Sequence, residues 1–406
     1  MDIAVIIHEL LVEGGGERLC VSLARALVQH GHDVTVYTCA YDRQNCYPDI
    51  CKNLAIEDVG RGSFPQLRKP FFVRGYLDML HLAGSVDRAH EIWNPHHWPA
   101  QWGAVWLKNR WSGAVVWMCN DVPDFFAKSQ QLHSAKMATF APLYRLYYLY
   151  DLKQNRGVDM TVLLSEWAGR EFRTIYPFPT RIVGSGADPE LFLPGGNRSR
   201  IRSRFGFAEH EFILLWLGIF MPHRRLEDAI TAVSHLASLG VEVRLLLAGS
   251  DRSYPDYCNS LKAQARSLGV QHLVTFTGKV ADEEICDFYA ACDAFVFPND
   301  QQTWGLVVLE AMSCGRPVLV SKGAGVHEVL TDNLNAILFP ARNPLAIADK
   351  IKLLVTQPGL KAEIARNGME FARTTFNWKH YTVQIEDVCK DVIGSRSMTG
   401  IPAIAS

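Results

Sequence analysis

The chain has 406 residues, 48% of them hydrophobic and 20% charged, a globular composition long enough for two domains. Lys and Arg number 41 against 42 Asp and Glu, so the formal net charge of −1 excludes the basic excess of a general nucleic-acid binder. No apolar run reaches the roughly 20 residues of a membrane-spanning helix, and Asp2, His8 and Glu9 interrupt the opening too early for a signal peptide.

IAVII (3–7) is a β-branched run of strand length. A glycine-rich loop follows, then ERLCVSLARALVQHG, whose apolar spacing and closing Gly31 predict a helix. DVTVYTCA (33–40) is the next strand, and strand, loop, helix, strand makes one βαβ unit of a parallel sheet. AVVWMC (114–119) and DMTVLLS (159–165) extend that sheet. RIVGSGADPELFLPGG (181–196), rich in Gly and Pro, reads as a linker. A second series follows, with strands at 212–218, 241–249, 273–278, 293–298, 317–321 and 336–340. Helices at 225–240, 257–269, 282–291 and 306–315 alternate with them, and helices from about 343 to 374 close the series. Two consecutive α/β sheets result. In such sheets ligands bind beyond the carboxyl ends of the strands. That singles out the loops 10–17, 94–102, 119–126, 218–225, 249–256, 298–305 and 321–327.

Within those loops, Gly14, Gly15 and Gly16 let backbone N–H groups approach a phosphate or sugar at a helix start, or form a plain flexible turn. A dinucleotide fingerprint would need a third glycine where Leu19 stands; Asp42 alone favours that reading. His223, Arg224 and Arg225 could neutralise a diphosphate, or be solvated surface charge. Glu310 is expected in the first turns of its helix, either complementing the dipole or accepting hydrogen bonds from ribose hydroxyls. His96 and His97 in WNPHHWPAQW could be acid/base or metal-binding groups, although a structural role is favoured. Trp93, Trp98 and Trp102 could stack on sugar rings or fill a core. The ten cysteines read as reduced, buried thiols in a cytoplasmic protein, and the gaps between Cys39, Cys46 and Cys51 fit no tight zinc pair. Residues 137–153 interleave aromatic and basic residues at helical spacing, as a packed helix or one touching a membrane surface.

GGGERLCVSLARALVQHGHDVTVYT, GADPELFLPG, GIFMPHRRLEDAI, LLLAGS, VTFTGKV, DAFVFPND, WGLVVLEAMSCGRPVLVS, GVHEVLTDNLNAILFP and FNWKHYTVQIEDV form an ordered set over nearly the whole chain. That set resembles a retaining glycosyltransferase of the GT-B fold, in the large family 4 of group 1 transferases. The resemblance implies two Rossmann-like domains facing a cleft. Residues 1–184 would form the acceptor side, joined by a returning helix at 379–395, and 185–378 the nucleotide-sugar side. Glu310 matches the second Glu of a Glu-x7-Glu motif that binds the ribose. Arg224 or Arg225 matches the Lys that grips the diphosphate, and Gly15 and Gly16 match backbone that meets it. Gly218, Gly278, Lys279, Thr303, Trp304, Gly305, Leu306, Val307 and Glu328 complete the donor side. The first Glu of the motif is Gln302 here, the Arg after the strand-end Gly is Ile219, and the usual His after AVVWMC is Asn120, followed by Asp121. Asn120, Asp121, Gln302 and His97 are therefore the catalytic candidates.

The resemblance further implies a GDP- or UDP-sugar donor, a glycan or lipid-linked acceptor, no metal and no cofactor. A peripheral membrane contact through 137–153 stays open. So do a sugar-nucleotide epimerase of the same fold and a sugar-nucleotide-binding, non-catalytic subunit.

Overall fold

The computed structural model describes residues 1–11, 14–62, 71–122, 141–251 and 254–398. Parts of three expected site loops (12–13, 123–126 and 252–253) and 137–140 of the expected interfacial helix lie outside the described residues. The chain divides into two compact units, Met1–Val183 with Thr382–Ser406, and Gly184–Tyr381.

In the first unit β1 (Asp2–Ile7), β2 (Asp33–Thr38), β3 (Ala55–Asp58), β4 (Ile92–His96), β5 (Ala114–Met118), β6 (Met160–Leu163) and β7 (Thr180–Ile182) form one sheet. Every pair is parallel, in the order β3-β2-β1-β4-β5-β6-β7. The order reverses between β1 and β4, and such a reversal opens a crevice at the carboxyl ends of those strands. β1 is buried from Ile3 to Ile7, which explains its unbroken apolar run. The closing helix Trp378–Met398 belongs to this unit from Thr382 onward. Its Glu386 carboxylate lies 2.7 Å from His30 Nδ1 and 3.1 Å from His32 Nε2, and its Asp391 accepts from Arg181 at 2.9 Å.

In the second unit β8 (Phe212–Leu217), β9 (Val243–Ala248), β10 (Val274–Gly278), β11 (Ala294–Phe297), β12 (Val318–Ser321) and β13 (Ile337–Phe339) form a parallel sheet ordered β10-β9-β8-β11-β12-β13. Here the reversal lies between β8 and β11. The helix Leu226–Ser238 buries Leu226, Ala229, Ile230, Val233 and Leu236, a helical stripe that packs into the core over β8 and β9.

The pattern expected from sequence lacks β3, β4 and β7, and the helices Phe71–Ser85, Ala100–Trp111 and Glu166–Ile175. β3 and β7 are short strands at the two edges, largely open to solvent and without an apolar run. β4 reads IWNPH, with Asn94, Pro95 and His96 all buried, so its polar letters disguise a central strand. The segment 94–102 is thus a strand end, a short turn and a helix start. The first helix begins at Gly15, so Gly15 and Gly16 form its first turn instead of preceding it. Among the described residues no helix is long and apolar enough to cross a membrane.

Candidate active site

In the second unit the loops after β8 and β11 meet at the reversal of strand order. The Asp300 N–H donates to the His223 carbonyl at 2.8 Å and ties the two loops together. Gln302 then places Oε1 at 2.5 Å from Arg224 Nη1 and 3.2 Å from His223 Nε2. The loop after β12 joins them: the Gly325 N–H donates to the Gln302 carbonyl at 2.8 Å, and Gln302 N–H reaches Gly323 O at 3.2 Å. Glu328 sits in the 3-10 turn Gly325–Val329 that follows, half-buried.

Arg225 goes elsewhere. It caps the helix Leu226–Ser238 at φ +54 and turns its guanidinium back on that helix, 2.9 and 3.0 Å from Asp228 and 2.8 Å from Glu227. The Leu226 N–H at the helix start is taken by the Tyr257 hydroxyl at 3.0 Å. Of the two arginines, Arg224 is the one brought to the strand ends.

Gly218, Gly249 and Gly278 lie at the carboxyl ends of β8, β9 and β10. The Gly249 N–H donates to Gly278 O at 2.9 Å, and a Cβ on Gly249 would stand 1.7 Å from the Gly218 carbonyl oxygen. Only glycine fits there, with φ +151 as a second reason. Lys279 follows, exposed.

The helix Leu306–Ser313 starts from Gly305, with no side-chain cap and with Leu306 and Val307 half-buried. Thr303 and Trp304 are buried just before it. The Trp304 indole donates to Ser185 O at 3.0 Å and its ring leaves Gly184 no room for a Cβ, so this side chain packs on the linker. Glu310 differs from expectation. It is the helix's fifth residue and 1% exposed, and the first turn holds no acidic group, so dipole complementation does not account for it. Its Oε2 lies 3.3 Å from the hydroxyl of Tyr289, which also reaches Val307 O at 3.1 Å. A buried carboxylate held by a phenol suits a ligand that brings further hydroxyl donors. Tyr289 has no signal in the sequence beyond its aromatic side chain. Asn299, wholly buried just after β11, has no hydrogen-bond partner on either amide atom among the described residues.

In the first unit the turns after β1 and β4 meet at the other reversal. His97 has φ +60, donates its N–H to Met118 O at 3.2 Å, and holds Nε2 where a Cβ on Gly16 would lie 2.2 Å away. Gly16 is therefore needed for the imidazole to reach the uncapped helix start, whose N-cap is Gly14. His97 Nε2 and Asn120 Nδ2 are buried without a hydrogen-bond partner among the described residues. Asp121 is exposed beside Asn120. His96 is wholly buried with Nε2 3.1 Å from Asn94 Oδ1. Burial, and then the His97 charge, lower its pKa to about 3, so it is neutral near pH 7 and no base. Trp93 and Trp102 are core residues.

One cluster was not read from the sequence. His8, Glu9 and Asp78 bring ligand atoms within 4.8 Å of one another, the one such metal-competent group among the described residues. Two guanidinium groups already hold Glu9 Oε1, from Arg61 at 2.7 Å and Arg74 at 2.6 Å, and His8 Nε2 lies 2.9 Å from Asp78. Paired arginines on the same carboxylate disfavour a cation there.

The family model described as glycosyl transferases group 1 matches residues 197–371, and that described as glycosyltransferase family 4 matches 13–191. A D-inositol 3-phosphate glycosyltransferase from Xylanimonas cellulosilytica is 29% identical, over 92% of this chain and 91% of its own length. Among solved structures, the sucrose-phosphate synthase of Thermosynechococcus elongatus superposes with a TM-score of 0.80 at 20% identity, covering 97% of this chain and 99% of that one. Anabaena Alr3699/HepE, crystallised with UDP and glucose, does so at 0.77 and 18%, covering 96% and 100%.

Proposed function

The chain belongs to the group 1, family 4 glycosyltransferases of the GT-B fold, and on that premise we propose that it moves a hexose from a nucleoside-diphosphate sugar to a glycan, lipid-linked or small-molecule acceptor, with retained anomeric configuration and without a metal. The observation that carries this reading is the convergence of His223, Arg224 and Gln302 at the β8/β11 reversal, with the buried Glu310 on the helix that follows Gln302. Glu310 would take the ribose hydroxyls. Arg224 and the uncapped start of the helix Leu306–Ser313 would face the diphosphate. Gln302, neutral, would orient the sugar hydroxyls.

In the transfer the bond from the anomeric carbon to the phosphate oxygen breaks, and the acceptor oxygen bonds to the same face. The acceptor proton passes to the leaving phosphate oxygen, so no ionisable side chain is required at Asn120. The protein's part is to stabilise diphosphate charge and to hold the acceptor. Asn120 and His97 of the first unit are the acceptor-side candidates, each offering a buried polar atom without a partner among the described residues. UDP and glucose bound to Anabaena Alr3699/HepE support UDP-glucose as the first donor to try.

The helix Ala141–Asn155 supports a peripheral membrane contact. Leu146 and Leu149 are 65% and 53% exposed beside Arg145 and Lys153, an apolar and basic face suited to anionic lipid. Gln302 and Ile219, standing where the resemblance implies charged groups, favour a second reading, a subunit that binds sugar nucleotide without turning it over.

A thermal-shift panel of UDP-, GDP- and ADP-sugars, followed by product analysis with radiolabelled sugar, tests the donor site and the transfer. Binding with transfer supports the enzyme, binding without donor breakdown supports the subunit, and no shift with any nucleotide sugar sinks the donor site.

A further inference from the structure

All ten cysteines are free thiols; nine are buried and Cys286 is partly exposed. Cys286 lies on the helix Ile285–Ala291 and Cys314 is the C-cap of the helix Leu306–Ser313. The Cys314 thiol donates to Cys286 Sγ across 4.0 Å, and Cys286 Sγ lies 3.3 Å from Leu191 O. The same two helices carry Tyr289 and Glu310, whose side chains meet at 3.3 Å. The Cys314 N–H donates to Glu310 O at 3.0 Å, and the Glu310 charge acts on both thiols.

We propose that Cys286 and Cys314 form a thiol–disulfide modification site, and that closing it disturbs the Tyr289–Glu310 contact. Its functional consequence rests on the nucleotide role given to Glu310 above.

Reactivity singles out Cys286. The hydrogen bond from Cys314 lowers its pKa despite burial and the neighbouring Glu310 and Asp287 charges. Cys20, Cys39, Cys51, Cys119, Cys258, Cys292 and Cys389 all shift the other way, with burial the largest cause. Cys286 is therefore the readier thiolate and also the more accessible one, the two properties that select a cysteine for oxidation. Cys314, already in contact, is placed to resolve it.

With hydrogen peroxide as oxidant, the Cys286 thiolate attacks one peroxide oxygen, the O–O bond breaks and hydroxide leaves, giving a sulfenic acid. Cys314 sulfur then attacks Cys286 sulfur. The S–O bond breaks, the Cys314 proton joins the departing hydroxyl as water, and a disulfide remains. Two electrons have passed from the pair to the peroxide. A disulfide needs the sulfurs about 2 Å apart, so the 4.0 Å contact must close by roughly half, and whatever side-chain rotation does not take up falls on the two helices. Because these helices position the phenol and the carboxylate, their shift is felt at Glu310.

The full chain, reduced and then treated with hydrogen peroxide, is digested without reductant and its peptides are weighed. A Cys286–Cys314 linked pair forming ahead of any other cysteine product, reversible by dithiothreitol and absent from Cys286→Ser and Cys314→Ser, is the expected result. Oxidation of other cysteines first, or Cys286 advancing to sulfinic acid without a link, overturns the site. UDP and GDP are titrated into the reduced and linked forms; binding about tenfold weaker in the linked form is expected from the loss of one hydrogen bond to a charged group. Equal affinity in the two forms overturns the effect on Glu310. If the reduced chain binds neither nucleotide, the donor-site reading fails, while the peptide map still decides the thiol site.

Discussion

Arg224 and Arg225 are neighbours with the same charge, and their surroundings separate them. Arg224 reaches across to Gln302, whereas Arg225 is held by Glu227 and Asp228 on its own helix. Arg224→Ala is expected to lower kcat/KM on the donor by about a hundredfold, ~3 kcal/mol of charge stabilisation, with little change in melting temperature. Arg225→Ala is expected to keep kcat and to lose ~1–2 kcal/mol of stability, because buried Asp228 is left uncompensated. Arg225→Gly should recover part of that loss, since φ +54 suits glycine. Urea titration and steady-state kinetics of the three variants decide it, and equal loss of turnover in the two alanine variants defeats the separation. Gln302→Glu would set a carboxylate against Arg224 and offset its charge, so the donor KM is expected to rise about tenfold. An unchanged KM would show that Gln302 does not govern the guanidinium.

The helix Ala141–Asn155 is anchored by a buried acid. Asp151 Oδ1 accepts from the Trp102 indole at 2.7 Å and Gln101 at 3.3 Å, and Oδ2 from Asn155 at 3.0 Å and from the Tyr176 hydroxyl. Burial raises its pKa from 3.8 to about 6, against the lowering effect of those hydrogen bonds. A raised acid pKa means the folded state holds the proton more tightly than the unfolded one. Its contribution is therefore full below about pH 4, falls as pH rises toward 6, and is ~3 kcal/mol smaller at pH 7. Urea unfolding of wild type and Asp151→Asn from pH 4 to 7 should show wild type losing stability relative to the variant over that window; a constant difference removes the titration from Asp151. Asp151→Ala is expected to lose 3 kcal/mol or more at either pH, with several buried donors unpaired. Elements of this kind mark the limit of what the sequence shows. β1 and β8 are legible because their central positions are buried on both faces and carry unbroken apolar runs, Ile3–Ile7 and Phe212–Leu217. β4 is not, because its buried Asn94 bonds both His96 and the Val116 carbonyl of the neighbouring strand, partners invisible in a string of letters. Glu310 and Gln302 are legible as a spaced pair, but the choice of Arg224 depends on a backbone torsion at Arg225. His8 and Asp78 lie 70 residues apart and meet only once the sheet has formed.

The two sheets share one strand-order plan, and the side chains proposed to hold the nucleotide, Arg224 and Glu310, both belong to the second, with only the backbone of Gly15 and Gly16 expected to contribute from the first. Each sheet reverses its strand order once, and each reversal gathers the candidate side chains of its own unit: Gly16 and His97 in the first, His223, Arg224 and Gln302 in the second. A nucleoside diphosphate should therefore stabilise the two units unequally. Saturation at a hundred times Kd adds about 2.7 kcal/mol to the state that binds it. With UDP or GDP present, amide exchange is expected to slow in the helix Leu306–Ser313 and the turn Pro222–Arg224. The strands β1, β2 and β5 should change less, because local openings within a unit do not draw on ligand bound elsewhere. Hydrogen exchange read peptide by peptide separates the cases. Protection confined to the second unit supports the donor assignment. Protection first around Gly14–Gly16 and His97, with 306–313 unchanged, would move the nucleotide to the first sheet and leave Glu310 a structural carboxylate.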